Sequence, residues 1–190
     1  IKNVSDYVYI TCDGVGEGET MSIYTIDDKY KIKKIWTNFY PNSIGLFYSS
    51  ITDFLGFEIN EGEFKVMSLS SFGKPIYEKE LQDIFNINNF TMNMDYFEFH
   101  KSPRRSFSQK LCEVFGEPYL NINDEKNFNK YANIASSAQL ILERTMKNLI
   151  QKAMYLSGKK KIILTGGVAL NCKMVHKLSK LNIFEEMIVP

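Results

Sequence analysis

The sequence predicts an α/β protein whose mixed sheet is built in the order β-β-β-α-β-α-β. Three observations predict it. Two early runs of β-branched and aromatic residues are joined by a glycine-rich loop. Two longer segments repeat apolar residues at helical spacing. Near the end, Lys161-Ile-Ile-Leu-Thr-Gly-Gly-Val-Ala-Leu-Asn-Cys172 carries a buried-type strand into two glycines and then a helix.

Val8 to Cys12 is the first predicted strand, and Met21 to Ile26 the second, with Asp13 to Glu19 as the hairpin loop between them. The polar turn Asp27-Asp28-Lys29 leads to a third strand over Tyr30 to Phe39, whose expected inward residues are Ile32, Ile35 and Trp36. Asn42-Ser43 after Pro41 reads as a helix start. Ile44, Phe47, Tyr48, Ile51, Phe54 and Leu55 then recur at helical spacing until Gly56 stops the run.

Residues 57 to 130 alternate short apolar clusters with Gly-, Pro- and Asn-rich stretches, among them 86–93 and 121–129, and read as an insertion of short helices and loops. From Tyr131 to Leu156 the residues Ile134, Ala138, Ile141, Leu142, Leu149, Ile150, Ala153 and Leu156 mark one face of a long helix stopped by Gly158. After the Lys161–Thr165 strand, a helix is expected from about Ala169 to Ser179, and a last strand over Glu186 to Val189.

The composition narrows the class. With 190 residues the chain has room for one full core, since roughly 150 residues bury about two-thirds of their unfolded surface. The 44% hydrophobic fraction, with 14 Phe and 11 Tyr, is that of a packed globular protein. A net charge of +1 offers no field to steer nucleic acid, so Lys101, Arg104 and Arg105 read as a solvated loop and no nucleic-acid partner is expected. Cys12, Cys112 and Cys172 are odd in number and far apart, which fits a reducing cytoplasm rather than a disulfide framework. No apolar run approaches the ~20 residues of a membrane span, so a soluble protein is expected. The chain lacks an initiator Met and starts and stops beside apparent strands, which suggests a piece of something longer.

Several residues are candidates for chemistry. Gly166 and Gly167 let backbone approach a phosphate beside a helix N-terminus, although a strand-to-helix turn also takes glycine for steric reasons alone. Asp13-Gly14-Val15-Gly16-Glu17 places a hard carboxylate ligand at a strand end with loop N–H groups able to cradle an anion; its plainer reading is a hairpin turn. Glu63 can accept from ribose hydroxyls or an adenine amine, and Lys65 can balance phosphate or hold Glu63; alternating charge of this kind is also what a solvated loop shows. Asn171 offers a donor and an acceptor to a ribose, or is an ordinary first-turn residue. His100 and His176 stand apart from other ligand types and read as structural or surface residues.

Three hairpin-joined strands, a helix, and two further strands each preceded by a helix is the layout of a ribonuclease-H-like module, the half-unit of the actin-like ATPases. In that architecture a nucleotide sits between two such modules, near the carboxyl ends of the strands.

Several segments together resemble the O-carbamoyltransferases of the nodulation-factor and antibiotic-tailoring family. They are Asp13 to Glu17, Pro41-Asn-Ser-Ile-Gly-Leu-Phe-Tyr48, Leu55-Gly-Phe-Glu-Ile-Asn-Glu-Gly-Glu-Phe-Lys-Val-Met67, Phe115 to Pro118, Ile134 to Gln139 and Gly166 to Cys172. The resemblance runs in order from about Tyr9 to Pro190. It implies an actin-like domain related to that of tRNA threonylcarbamoyl transferases, working with a separate adenylating domain that makes carbamoyl adenylate from carbamoyl phosphate and ATP. The carbamoyl group would pass to a hydroxyl of a sugar-like acceptor.

By the same resemblance Asp13 is a metal ligand for iron, manganese or magnesium, and Gly14 and Gly16 line the phosphate. Gly166, Gly167 and Asn171 hold the nucleotide, while Glu63 and Lys65 sit by the adenosine. The family's His-x-x-x-His pair would precede Ile1, and its Gly-Asp segment would follow Pro190. Met67-Ser68-Leu69-Ser70-Ser71-Phe72-Gly73 departs from the family's Met-Gly-Leu-Ala-Pro-Tyr-Gly, Tyr119 stands where Arg is common, and Val175 replaces a frequent Asn. Competing readings are a threonylcarbamoyl-type transferase, an actin-like kinase, or a non-catalytic module that binds nucleotide or a partner domain.

Overall fold

A computed structural model describes residues 3–101, 105–119 and 124–190; Arg104 and residues 121–123 of the Asn-rich stretch lie outside them. The chain divides into two compact units, one of Ile1–Gly45 with Glu143–Pro190 and one of Leu46–Leu142.

The first unit is built on a five-stranded mixed sheet in the order β3-β2-β1-β6-β7. β1 (Tyr7–Cys12), β2 (Glu19–Ile26) and β3 (Ile32–Phe39) form an antiparallel meander. β6 (Lys161–Thr165) joins β1 in parallel, and β7 (Glu186–Ile188) joins β6 in parallel. Parallel neighbours need crossovers, and these are α5 (Glu125–Ser157) before β6 and α6 (Cys172–Ser179) before β7. Both crossovers step in the same direction along the sheet, so their right-handed sense puts the two helices on one face. Val8, Ile10, Ile23, Ile162 and Leu164, fully buried on that face, join Met146, Leu149, Ile150, Ala153 and Met174 in the core.

Three expectations change here. Ile32 is 65% exposed, because β3 is an edge strand and alternation alone does not decide burial at an edge. The expected Ala169-to-Ser179 helix is broken: a 3-10 turn covers Gly167–Leu170, Asn171 caps, and α6 starts at Cys172. α5 begins at Glu125, so the Asn-rich run read as loop over 121–129 is helical from that residue on.

The second unit holds most of α1 (Ile44–Phe54), α2 (Glu63–Leu69), α3 (Glu78–Ile84), α4 (Gln109–Phe115) and the earlier part of α5. A short hairpin of β4 (Phe85–Asn86) and β5 (Thr91–Met92), not anticipated from sequence, lies among them. Its core is aromatic, with Phe54 edge-on to Phe107 and Phe115 at centroid distances of 5.3 and 6.0 Å. The buried Tyr48 hydroxyl donates to Gln139 at 2.9 Å. No helix among the described residues is long and apolar enough to cross a membrane.

Candidate functional site

Parallel pairing of β1 and β6 aligns Thr11 with Thr165, so the segments that follow these residues leave the sheet side by side. Asp13 and Gly14 come from the first segment, Gly166 and Gly167 from the second. Gly166 has φ +100°, and a Cβ there would lie 2.2 Å from the Cys12 carbonyl oxygen. Only glycine lets the two backbones lie this close. A Cβ on Gly167 would lie 2.9 Å from Asp13 Oδ1. The structure therefore joins three of the sequence candidates, Asp13, Gly14 and Gly167, into one exposed edge at the carboxyl ends of adjacent parallel strands, with Gly166 as the residue that permits the approach.

The Asp13 loop is tightly folded. Gly14 N–H donates to Asp13 Oδ1 at 2.9 Å, Gly16 N–H to Glu19 O at 3.0 Å, and Gly18 N–H to Gly16 O at 2.7 Å. Beneath it Cys12 is fully buried, and burial together with the neighbouring Asp13 carboxylate pushes its thiol well above the ordinary range. Asn171 has the first-turn place that the sequence allowed: its Oδ1 accepts from Met174 N–H at 2.9 Å and so caps α6.

Glu63 and Lys65 belong to the other unit, in the first turn of α2. Glu63 Oε1 accepts from Ser49 Oγ at 2.7 Å and from Asn60 N–H at 3.1 Å, which ties the loop ahead of α2 to α1. Lys65 is exposed and holds its ammonium 5.9 Å from the ring centre of Phe57 and 5.8 Å from that of Phe64. Arg105 is half-buried: it pairs with Glu98 at 3.2 Å and holds its guanidinium 5.2 Å from the ring centre of Phe107.

Metal binding needs more than this chain brings together. Among the described residues no group of three or more His, Cys, Asp or Glu side chains is gathered for an ion. Asp13 offers one carboxylate, too few ligands for a divalent cation that takes six or so oxygens.

Sequence reasoning missed Ser43 and Gly45. The signal was available, since both lie inside the Pro41-to-Tyr48 segment, but nothing local marks them as partners of a loop some thirty residues away. Ser43 Oγ reaches the Asp13 and Gly14 carbonyls, and a Cβ on Gly45 would lie 2.8 Å from Gly14 Cα.

Fold and site define the class: an α/β protein with a glycine-built edge where two parallel strands end beside a single carboxylate. The chain belongs to the family described as carbamoyltransferase N-terminus, whose model matches residues 4–190. It is 31% identical over 172 residues to an uncharacterized protein of Synechocystis sp., covering 88% of this chain and 28% of that protein. An uncharacterized protein of Methanocaldococcus jannaschii is 29% identical over 198 residues, 97% of this chain and 34% of the relative. Nodulation protein NolNO of Sinorhizobium fredii is 25% identical over 182 residues, 95% of this chain and 25% of the relative. The chain thus spans about a quarter to a third of the length of these relatives.

Proposed function

We propose that this chain is the part of an O-carbamoyltransferase that receives carbamoyl adenylate and passes its carbamoyl group to a hydroxyl of a sugar-like acceptor. The observation that carries the reading is the meeting of the Asp13-Gly14 loop with Gly166-Gly167, supported by family membership over almost the whole chain. The module is read as ribonuclease-H-like, half of an actin-like domain, a reading supported by the antiparallel meander followed by two parallel strands in the order β3-β2-β1-β6-β7. The remaining half and an adenylating domain are its expected partners in a cytoplasmic enzyme.

In the transfer, the acceptor hydroxyl gives up its proton to water as its oxygen forms a bond to the carbamoyl carbon, the bond from that carbon to the phosphate oxygen breaks, and AMP departs with that electron pair. In this reading the loop of Gly14 and Gly16 and the Gly166-Gly167 turn line the phosphate, their backbones drawn together by the missing side chains. Asn171 helps hold the nucleotide. Glu63 and Lys65 serve the adenosine side, with Glu63 already held in place by Ser49 and Asn60. Asp13 would give one ligand to a divalent ion whose other ligands would come from the remaining parts of the full-length protein.

The chain without its partner domains is expected to carbamoylate nothing, so the test supplies the full-length protein, adenylating domain included, with carbamoyl phosphate, ATP and a panel of hydroxyl acceptors, and follows pyrophosphate release and carbamoylated product together. Asp13→Asn is expected to lose transfer while pyrophosphate release continues. Loss of both activities, or of neither, removes Asp13 from the transfer site. A full-length wild type that binds adenylate but carbamoylates nothing leaves the non-catalytic nucleotide-binding module as the reading.

A further inference from the structure

The loop that carries Asp13 is held from behind by the turn between β3 and α1. Ser43, fully buried, directs its hydroxyl to two consecutive carbonyls, Asp13 O at 3.1 Å and Gly14 O at 2.7 Å. Tyr40 N–H donates to Gly18 O at 2.9 Å, and Thr20 Oγ1 donates to Asn42 O at 2.6 Å. Gly45 packs so closely that a Cβ would meet Gly14 N at 2.8 Å and Asp13 O at 2.9 Å.

Two carbonyls drawn to one hydroxyl have a consequence for the N–H groups of the same peptide units. In a trans peptide the C=O and N–H point in opposite directions. With Asp13 O and Gly14 O aimed at Ser43, the Gly14 and Val15 N–H groups aim away from it. Gly14 N–H is already taken by Asp13 Oδ1. Val15 N–H is paired with no acceptor among the described residues, and Val15 itself is 51% exposed. An exposed backbone donor held in a fixed direction is suited to an anionic oxygen.

We propose that Ser43 is a positioning residue that turns the Val15 N–H outward as the donor to a phosphate oxygen of the bound adenylate. The proposal rests on the adenylate-site reading above and adds to it the specific donor and the side chain that aims it. Gly45 belongs to the same device, since any side chain there would push the loop off Ser43.

The experiment measures AMP binding and the Val15 amide resonance in the protein and in its variants. Wild type is expected to bind AMP with a shift of the Val15 amide. Ser43→Ala should weaken AMP about tenfold, the effect of losing roughly one hydrogen bond, and abolish that shift. Ser43→Cys, which keeps the size and a weaker donor, should fall between, and it carries the test if Ser43→Ala does not fold. Ser137→Ala is the comparison, because Ser137 is equally buried and donates to Asn133 O at 2.7 Å in the other unit. It should lower stability without touching AMP affinity. Wild-type affinity in folded Ser43→Ala, AMP binding with an unmoved Val15 amide, or an equal loss in Ser137→Ala each overturns the role of Ser43 while leaving the adenylate site standing. A wild type that does not bind AMP overturns the site and this proposal together.

Discussion

A Cβ on Gly167 would lie 2.9 Å from the carboxylate oxygen Asp13 Oδ1, and nothing else in its surroundings comes within 3.8 Å. The crowding is thus confined to an exposed side chain that can rotate away. Gly167→Ala should therefore leave the melting temperature within a degree or two and act on Asp13 alone, lowering adenylate affinity and transfer. Gly166→Ala makes the contrast, since its φ of +100° is hostile to a side chain and its Cβ would strike the Cys12 backbone at 2.2 Å. It should cost about 3 kcal/mol or more in urea denaturation. Equal stability losses in the two variants would show that the Asp13 loop is rigid rather than yielding.

The buried Cys12 thiol makes stability fall at alkaline pH. In the unfolded chain a cysteine loses its proton near pH ~8.5, while burial and the Asp13 charge hold the native thiol protonated far above that. The native value is raised above the unfolded one, so the contribution is fully present below pH ~8.5 and is lost as pH rises. The expected slope is about 1.4 kcal/mol per pH unit between about 9 and 10. Tyr7, raised by its hydrogen bond to Glu186, and Tyr9 and Tyr131, raised by burial, add to the loss only above pH ~10. Denaturation curves of Cys12→Ala across this window should be flatter by that slope; an unchanged slope would assign the alkaline loss to other groups.

Glu143 of α5 is 6% exposed and meets Lys177 of α6 with Nζ 2.6 Å from Oε2. Lys173 lies on the same helix, its ammonium pushed below the usual lysine range by burial, against the pull of Glu143 and with the push of Lys177. Removing the Lys177 charge by Lys177→Met strips compensation from a buried carboxylate and should cost about 1–3 kcal/mol. Adding Glu143→Gln should recover part of that loss. A double variant no more stable than Lys177→Met would mean that the pair contributes little.

Much of the fold was legible because it is encoded locally. The meander β1-β2-β3 follows from β-branched and aromatic runs between glycine and Asp-Asp turns, and α5 from an apolar face that is buried at every named position except Leu156, 44% exposed at the helix end. What misled was also local. The Asn-rich run ahead of Tyr131 has weak helix propensity, yet from Glu125 it is helical, with Asn127 Nδ2 donating to Asp124 Oδ2 at 2.8 Å in the first turn. Asn171 sits in a stretch that reads as continuous helix, but its short side chain caps the backbone and starts a new one.

By itself the sequence determined the kinds and order of the strands and helices, the places where glycine breaks them, and the motifs that tie the chain to its family, since each depends on residues within a few positions of one another. Only the tertiary structure decided which of these features meet. The β1–β6 register sets Gly166 against Cys12 and Gly167 against Asp13 across more than 150 residues of chain. The fold of the β3–α1 turn brings the Ser43 hydroxyl under the Asp13 and Gly14 carbonyls. A glycine or a serine carries no local mark of such a partner, because what selects it is the space and the acceptor supplied by a strand far away in sequence.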